Sequence, residues 1–286
     1  MASVIQADNV WPAPAKINWF LHVVGKRDDG YHDLQTVFQF LDYGDELTFT
    51  LRDDGVVARN YDLGFSEDVD LCLRAATELK QLKGRSELGV TIGLNKKLPM
   101  GGGLGGGSSN AATTLIALNH LWKLGLDRQE LAQLGLKLGA DVPVFIFGKA
   151  AWAEGVGEQL SAVDLAEKWF LVINPDVHVS TKQIFCHKRL TARPQMMKIR
   201  ALENGIDCSF GDNDLEHIVR DEYPQVDAIL KWLSEIGKPR MSGSGGSVFM
   251  PLDNQQQGIE LLSQKPKNSI GFVAKGLNEH PLLNIR

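Results

Sequence analysis

The chain is poor in cysteine. It has no long apolar run and no excess of positive charge, and it has no lysine where the common ATPase phosphate loop requires one. Three cysteines stand among 286 residues, Cys72, Cys186 and Cys208, and their spacing is not that of metal ligands. So sparse and odd a set excludes a disulfide scaffold and points to a reducing compartment. No apolar stretch approaches the roughly 20 residues of a membrane-spanning helix. The first ten residues carry no basic stretch followed by an apolar one, so no secretory signal is expected. The net charge of −5 argues against a broad nucleic-acid surface. An anionic ligand therefore needs locally placed cations, and Lys16, Lys26, Lys96 and Lys97 are the candidates. With 43% apolar and 23% charged residues, the composition is that of a globular protein with one large domain or two ordinary ones. A cytoplasmic location is expected, and nothing in the sequence reports an oligomeric state.

Glycine is what the chain does have. Six glycines fall between Gly101 and Gly107, followed at once by Ser108 and Ser109. A helical apolar pattern runs on through Ala111, Leu115, Leu118 and Trp122. A glycine loop entering a helix exposes backbone N–H groups and points the positive end of the helix dipole at its ligand, an arrangement that suits phosphate. Missing side chains let the phosphate approach the backbone. A flexible linker is the plainer reading, but an alternating segment, Leu88–Leu94, and an apolar helix bracket the loop. No Gly-Lys-Ser/Thr follows, so the ATPase loop pattern is absent. Gly101, Gly103 and Gly106 do satisfy Gly-x-Gly-x-x-Gly. The acidic residue a dinucleotide site needs about 20 residues later would be Asp127, which with Glu130 reads instead as a helix capping box.

Along the chain, strands are expected at 13–24, 33–42, 45–52 and 88–94, and helices at 67–82, 108–122 and 128–138. Short strands are expected at 143–147 and 149–155. Beyond Gly155–Gly157 the pattern predicts a strand at 168–174 and helices at 180–187, 213–221 and 224–236. A strand at 240–250 is interrupted by a second glycine loop, and a helix at 254–264 and a strand at 270–275 follow. Strands first, then helices on a sheet, is an α+β pattern with mixed or antiparallel sheets.

Three segments in this order carry more than loop physics: Pro14-Ala-Lys16-Ile-Asn18, Leu98-Pro followed by the glycines and Ser109, and Ser242-Gly-Ser-Gly-Gly-Ser-Val-Phe249. They resemble the three-motif signature of the galactokinase, homoserine kinase, mevalonate kinase and phosphomevalonate kinase (GHMP) superfamily. Asp29-Gly30-Tyr31-His32, Gly139-Ala-Asp141-Val-Pro143 and Gly155-Val156-Gly157-Glu158 are similar to its branch that acts on a cytidine-diphosphate-linked methylerythritol. The resemblance covers essentially the whole chain. It implies an ATP-binding domain over 1–153, a substrate-binding domain over 154–286 and an active site in the cleft between them, with the segment 277–286 packing back on the first domain. It further implies transfer of the ATP γ-phosphoryl to the 2-hydroxyl of that small molecule, a step of the non-mevalonate isoprenoid pathway, with Mg2+ on the ATP phosphates.

On residues alone, Lys16 reads equally as a strand-edge lysine, Asp141 as a turn aspartate, and Tyr31 and His32 as exposed turn residues. The resemblance implies that Lys16 and Asp141 are catalytic, as charge stabiliser and general base. It implies an ATP loop of Pro99, Met100, Gly101, Gly102, Gly103, Leu104, Gly105, Gly106, Gly107, Ser108 and Ser109, with a serine hydroxyl available to the metal. The substrate residues it implies are Asn18, Tyr31, His32, Val156 and Phe185, with Tyr31 and Phe185 stacking on cytosine. The Ser242–Phe249 loop is placed near the substrate phosphates, though by itself it reads as a tight turn. One departure stands out. Where the family usually has Glu-Asp-Asn-Leu, this chain has Asp68-Val69-Asp70-Leu71, and Asp lacks the amide's N–H donors. The competing readings are another kinase of the superfamily, a nucleotide-binding sensor without catalysis, and a nicotinamide oxidoreductase.

Overall fold

The computed structural model describes residues 10–199 and 210–285; the first nine residues and Cys208 fall outside them. Among the described residues, ten strands and eight α-helices form an α+β fold. The organising element is β2 (His32–Arg52), which pairs with β1 (Val10–Lys26), β4 (Gly89–Asn95), β5 (Ala151–Glu154) and β10 (Ile270–Leu277), each antiparallel. From β10 the sheet continues antiparallel through β7 (Trp169–Asn174), β9 (Val248–Leu252) and β8 (Arg240–Met241). At the other edge β3 (Val57–Arg59) joins β4 in parallel, and β6 (Gln159–Ala162) pairs β5.

The expected break at Tyr43-Gly44 does not occur. β2 runs unbroken for 21 residues. Gly44 is a close-approach glycine: a Cβ there would lie 2.1 Å from the Ala13 carbonyl oxygen across the strand pair. The second correction concerns 143–147, which forms a helix, α4 (Val142–Phe147), rather than a strand. A short apolar run that is buried but for its last residue, Phe147, has no readable period. Its ends decide, with Pro143 in the first turn and Gly148 left-handed at the C-cap.

Helices α1 (Leu71–Leu82), α2 (Gly106–Leu121), α3 (Arg128–Leu138) and α4 cover one face of the β1–β2–β4 region. Asp127 and Glu130 do make a capping box at the start of α3. A second core lies between β1, β2, β7 and β9, around Trp19, Trp152, Phe170 and Phe249. A third packs α6 (Glu216–Glu222) and α7 (Pro224–Ser234) onto β7–β9. Pro224 opens α7, in keeping with the two separate helices expected at 213–221 and 224–236.

Candidate active site

Strand alternation builds the first part of the site. On β1, Ala15, Ile17 and Trp19 point into the second core, so Lys16 and Asn18 point the other way, into a cavity of about 510 Å³. Lys16 is 3% exposed, and a buried ammonium must be satisfied. Its three N–H groups have three acceptors: Asn18 Oδ1 at 2.6 Å, the Gly103 carbonyl at 3.0 Å and Asp141 Oδ2 at 3.2 Å. Asn18 is held in turn, because its Nδ2 donates to Thr36 Oγ1 on β2 at 2.9 Å. The Phe38 ring lies 5.4 Å from the ammonium. Asp141 is the N-cap residue of α4, and its side chain is 35% exposed toward the cavity.

The glycine loop supplies the second part. Gly105 is left-handed (φ 72°) and starts α2 with no side-chain cap. The first-turn amides of Gly106, Gly107 and Ser108 therefore have no intrahelical acceptor, and these residues line the cavity. The loop's carbonyls face the other way. Gly102 O accepts from Ser247 N, Gly103 O from Ser242 Oγ and Leu104 O from Lys16 N. A fully buried carboxylate, Asp45 on β2, braces the start of the loop. It accepts from Lys96 Nζ, the amides of Lys97 and Leu98, and Asn110 Nδ2 on α2, all between 2.7 and 3.0 Å.

The cavity has two apolar arms. One lies beside Gly106 and Gly107, where Leu71 and Lys96 approach the loop and Tyr61, Leu63 and Phe65 form the wall. The other lies beyond Lys16 and Asn18, with Leu21, Leu34, Val156, Thr181 and Phe185.

Of the residues singled out from sequence, Lys16, Asn18, Pro99 through Ser108, Asp141, Val156 and Phe185 all line this one cavity. Ser109 does not; it is fully buried, and its Oγ has no partner among the described residues. Tyr31 and His32 do not line it either. Tyr31 is 60% exposed on the turn before β2. The His32 ring lies 5.7 Å from that of Phe185. Burial holds His32 below the usual imidazole range; Lys26 adds to this and Asp33 opposes it. Thr36, Phe38 and Asp45 were not legible in advance, because their roles depend on strands that meet only in the fold.

No group of three or more His, Cys, Asp or Glu side chains among the described residues could form a metal cage. Asp141 and Ser108 are in the lining, and they fit an ion carried mainly by nucleotide phosphates.

A glycine loop that opens α2, a buried Lys16 and a partly exposed Asp141 thus meet in one cavity of an α+β frame. The model of the GHMP kinase N-terminal domain matches residues 70–149, and that of the C-terminal domain matches residues 195–267. The "4-diphosphocytidyl-2-C-methyl-D-erythritol kinase" of Burkholderia multivorans is 51% identical over 94% of both chains. That of Nitrosococcus oceani is 50% identical over 96% of this chain and 97% of its own. A crystal structure of a 4-(cytidine 5'-diphospho)-2C-methyl-D-erythritol kinase superposes with TM-score 0.77 at 30% identity, covering 93% of this chain and 98% of that one. A mevalonate kinase, 16% identical, shares the fold at TM-score 0.69 over 94% and 99% of the two chains. The chain belongs to the family of 4-diphosphocytidyl-2-C-methyl-D-erythritol kinases.

Proposed function

We propose that the protein transfers the γ-phosphoryl of ATP to the 2-hydroxyl of 4-diphosphocytidyl-2-C-methyl-D-erythritol. The observation that carries this is the Lys16–Asp141 pair, 3.2 Å apart, in the cavity that also receives the uncapped first turn of α2. The triphosphate lies along residues 99–108 with its terminal phosphate toward Lys16. Asp141, 35% exposed, faces the acceptor hydroxyl and takes its proton as the oxygen attacks phosphorus and the bond to ADP breaks. Lys16 stabilises the charge on the transferring group and on the acceptor oxygen. Positioning and charge do most of the work in phosphoryl transfer, so these groups suffice. Ser108 or Asp141 would be the protein contact of a magnesium ion carried by the nucleotide, which would further neutralise phosphate charge.

The arm beyond Asn18 takes the cytidine. Phe185 offers one face for stacking and Tyr31, from the adjoining turn, the other. His32 bonds the base edge, and Val156 closes the side. The chain divides near residue 154 into ATP-binding and substrate-binding domains, a reading supported by the two family models falling on either side of that point.

The test is incubation with magnesium-ATP and the cytidine-linked acceptor, with mevalonate and homoserine in parallel, reading ADP release. Release with the cytidine compound alone is expected. Release only with mevalonate or homoserine, or with none of the three, overturns the proposal.

A further inference from the structure

The segment between β3 and α1, residues 60–70, walls the glycine-loop arm and has little regular structure of its own. It contains a turn at Gly64 (φ 76°) and a single 3₁₀ turn at Glu67–Val69. Yet it presents Tyr61, Leu63, Phe65, Val69 and Asp70 to the cavity. A buried ion pair holds it. The side chains of Arg59 and Asp70 are 8% and 3% exposed, with Nη1 2.9 Å from Oδ2. Arg59 Nη2 also donates to the Phe65 carbonyl at 2.7 Å, and the guanidinium lies over the rings of Tyr61 and Phe65 at 5.5 and 5.4 Å. Tyr61 donates its hydroxyl to the same Asp70 oxygen at 2.9 Å. The other oxygen caps α1, accepting from Cys72 N and Leu73 N at 2.9 and 3.3 Å.

Four donors thus fill the Asp70 carboxylate. It lines the cavity, but no acceptor site remains on it for a ligand. An Asn in its place would be neutral and would need no countercharge. A buried Asp does need one, and the partner that provides it also grips the wall. We infer that Arg59 and Asp70 are a positioning pair for the donor nucleotide. They set the wall 60–70 against which its base lies, and neither residue bonds to the base. The inference rests on reading this arm as the ATP end of a kinase site.

The experiment titrates the whole chain with a non-hydrolysable ATP analogue and, separately, with cytidine diphosphate. Arg59→Gln removes the charge, Arg59→Lys keeps the charge but loses the fork, and Asp70→Asn removes the other partner. Arg59→Gln is expected to weaken the ATP analogue by about 10-fold, because a loosened supporting shell costs binding at the site it supports. Cytidine diphosphate affinity stays within about twofold, and in turnover KM for ATP rises while kcat holds. Arg59→Lys falls between Arg59→Gln and wild type, and Asp70→Asn follows Arg59→Gln. The inference is overturned if the variants that fold bind the ATP analogue within twofold of wild type. It is also overturned if both ligands weaken in step, or if none of the three variants folds. A wild-type chain that binds cytidine diphosphate but no ATP analogue removes the donor-site reading itself, and this inference with it.

Discussion

The two glycine loops look alike in sequence and do different work. In the second, between β8 and β9, Ser242 N bonds Ser247 O, Gly245 N bonds Ser242 O and Ser247 N bonds Gly102 O. Those amides are spent on protein acceptors, and the Ser242 hydroxyl goes to the Gly103 carbonyl at 2.9 Å. In the first loop the carbonyls of Gly102 and Gly103 are spent, while the amides at the start of α2 have no intrahelical acceptor and border the cavity. Glycine therefore has two causes here. At Gly103 (φ 72°) a Cβ would lie 2.1 Å from the Ser242 carbonyl oxygen, so the glycine serves the approach of one chain segment to another. At Gly107 a Cβ would meet only Leu71 Cδ1, at 3.4 Å. Its freedom serves the cavity. Glycine content alone does not separate these causes; the neighbours of each missing Cβ do.

The largest effect should come from forcing the loops apart. Gly103→Val puts a β-branched side chain at positive φ against backbone, which costs on the order of 4 kcal/mol or more. The bare sequence suggests selective loss of phosphate binding. The contact instead predicts a general loss: lower thermal stability, with ATP and cytidine ligands weakened together. Unchanged stability with loss of ATP alone would return Gly103 to the ligand side of the comparison.

Asp141→Asn leaves both loops packed and touches only what lies between them. Turnover should fall by about 100-fold or more, equivalent to about 2.7 kcal/mol of barrier, with both ligands still bound. Near wild-type turnover would remove Asp141 from the role of base. In the far arm, Phe185→Ala should weaken cytidine diphosphate by roughly 5- to 150-fold through lost stacking, with the ATP analogue unaffected. Tyr31→Ala should cost less than Phe185→Ala, because Tyr31 is 60% exposed and must leave solvent to stack. Equal weakening of both ligands by Phe185→Ala would mark a core aromatic, since it also packs against the third core.

Local features of the fold were legible in the sequence: the capping box at Asp127, the helix expected over 180–187 that forms as α5 (Thr181–Phe185), and the strand–glycine loop–helix passage from 89 to 121. Features set by distant partners were not. Gly44 reads as a turn until Ala13 lies against it, and the run at 143–147 has no period because all but its last residue are buried. Within the site, Lys16, Asp141 and the glycine loop could be named, since short motifs carry them. Asp45 and Arg59 could not. Their meaning lies in donors and acceptors that are far away in sequence or that no motif marks: Lys96 to Leu98 for one, Phe65 and Asp70 for the other.

The smallest effect should come from Gly107→Ala, and it is the sharpest test of the comparison. Gly107 is the second residue of α2 and has ordinary helical backbone, so a methyl group meets no conformational penalty. Replacing a helical glycine with alanine restricts the unfolded chain and favours the helix, by roughly 0.5–1 kcal/mol. In a chain of this length that is a rise of about 2 °C in Tm. The same methyl stands beside an amide left without an intrahelical acceptor. If that amide holds phosphate, the ATP analogue should bind a few-fold more weakly while cytidine diphosphate is unchanged. Stability and binding then move in opposite directions, the reverse of Gly103→Val, where both fall. A fall in Tm at Gly107→Ala, or unchanged affinity for the ATP analogue alongside the rise, would show that the open end of the first loop is scaffold like the second.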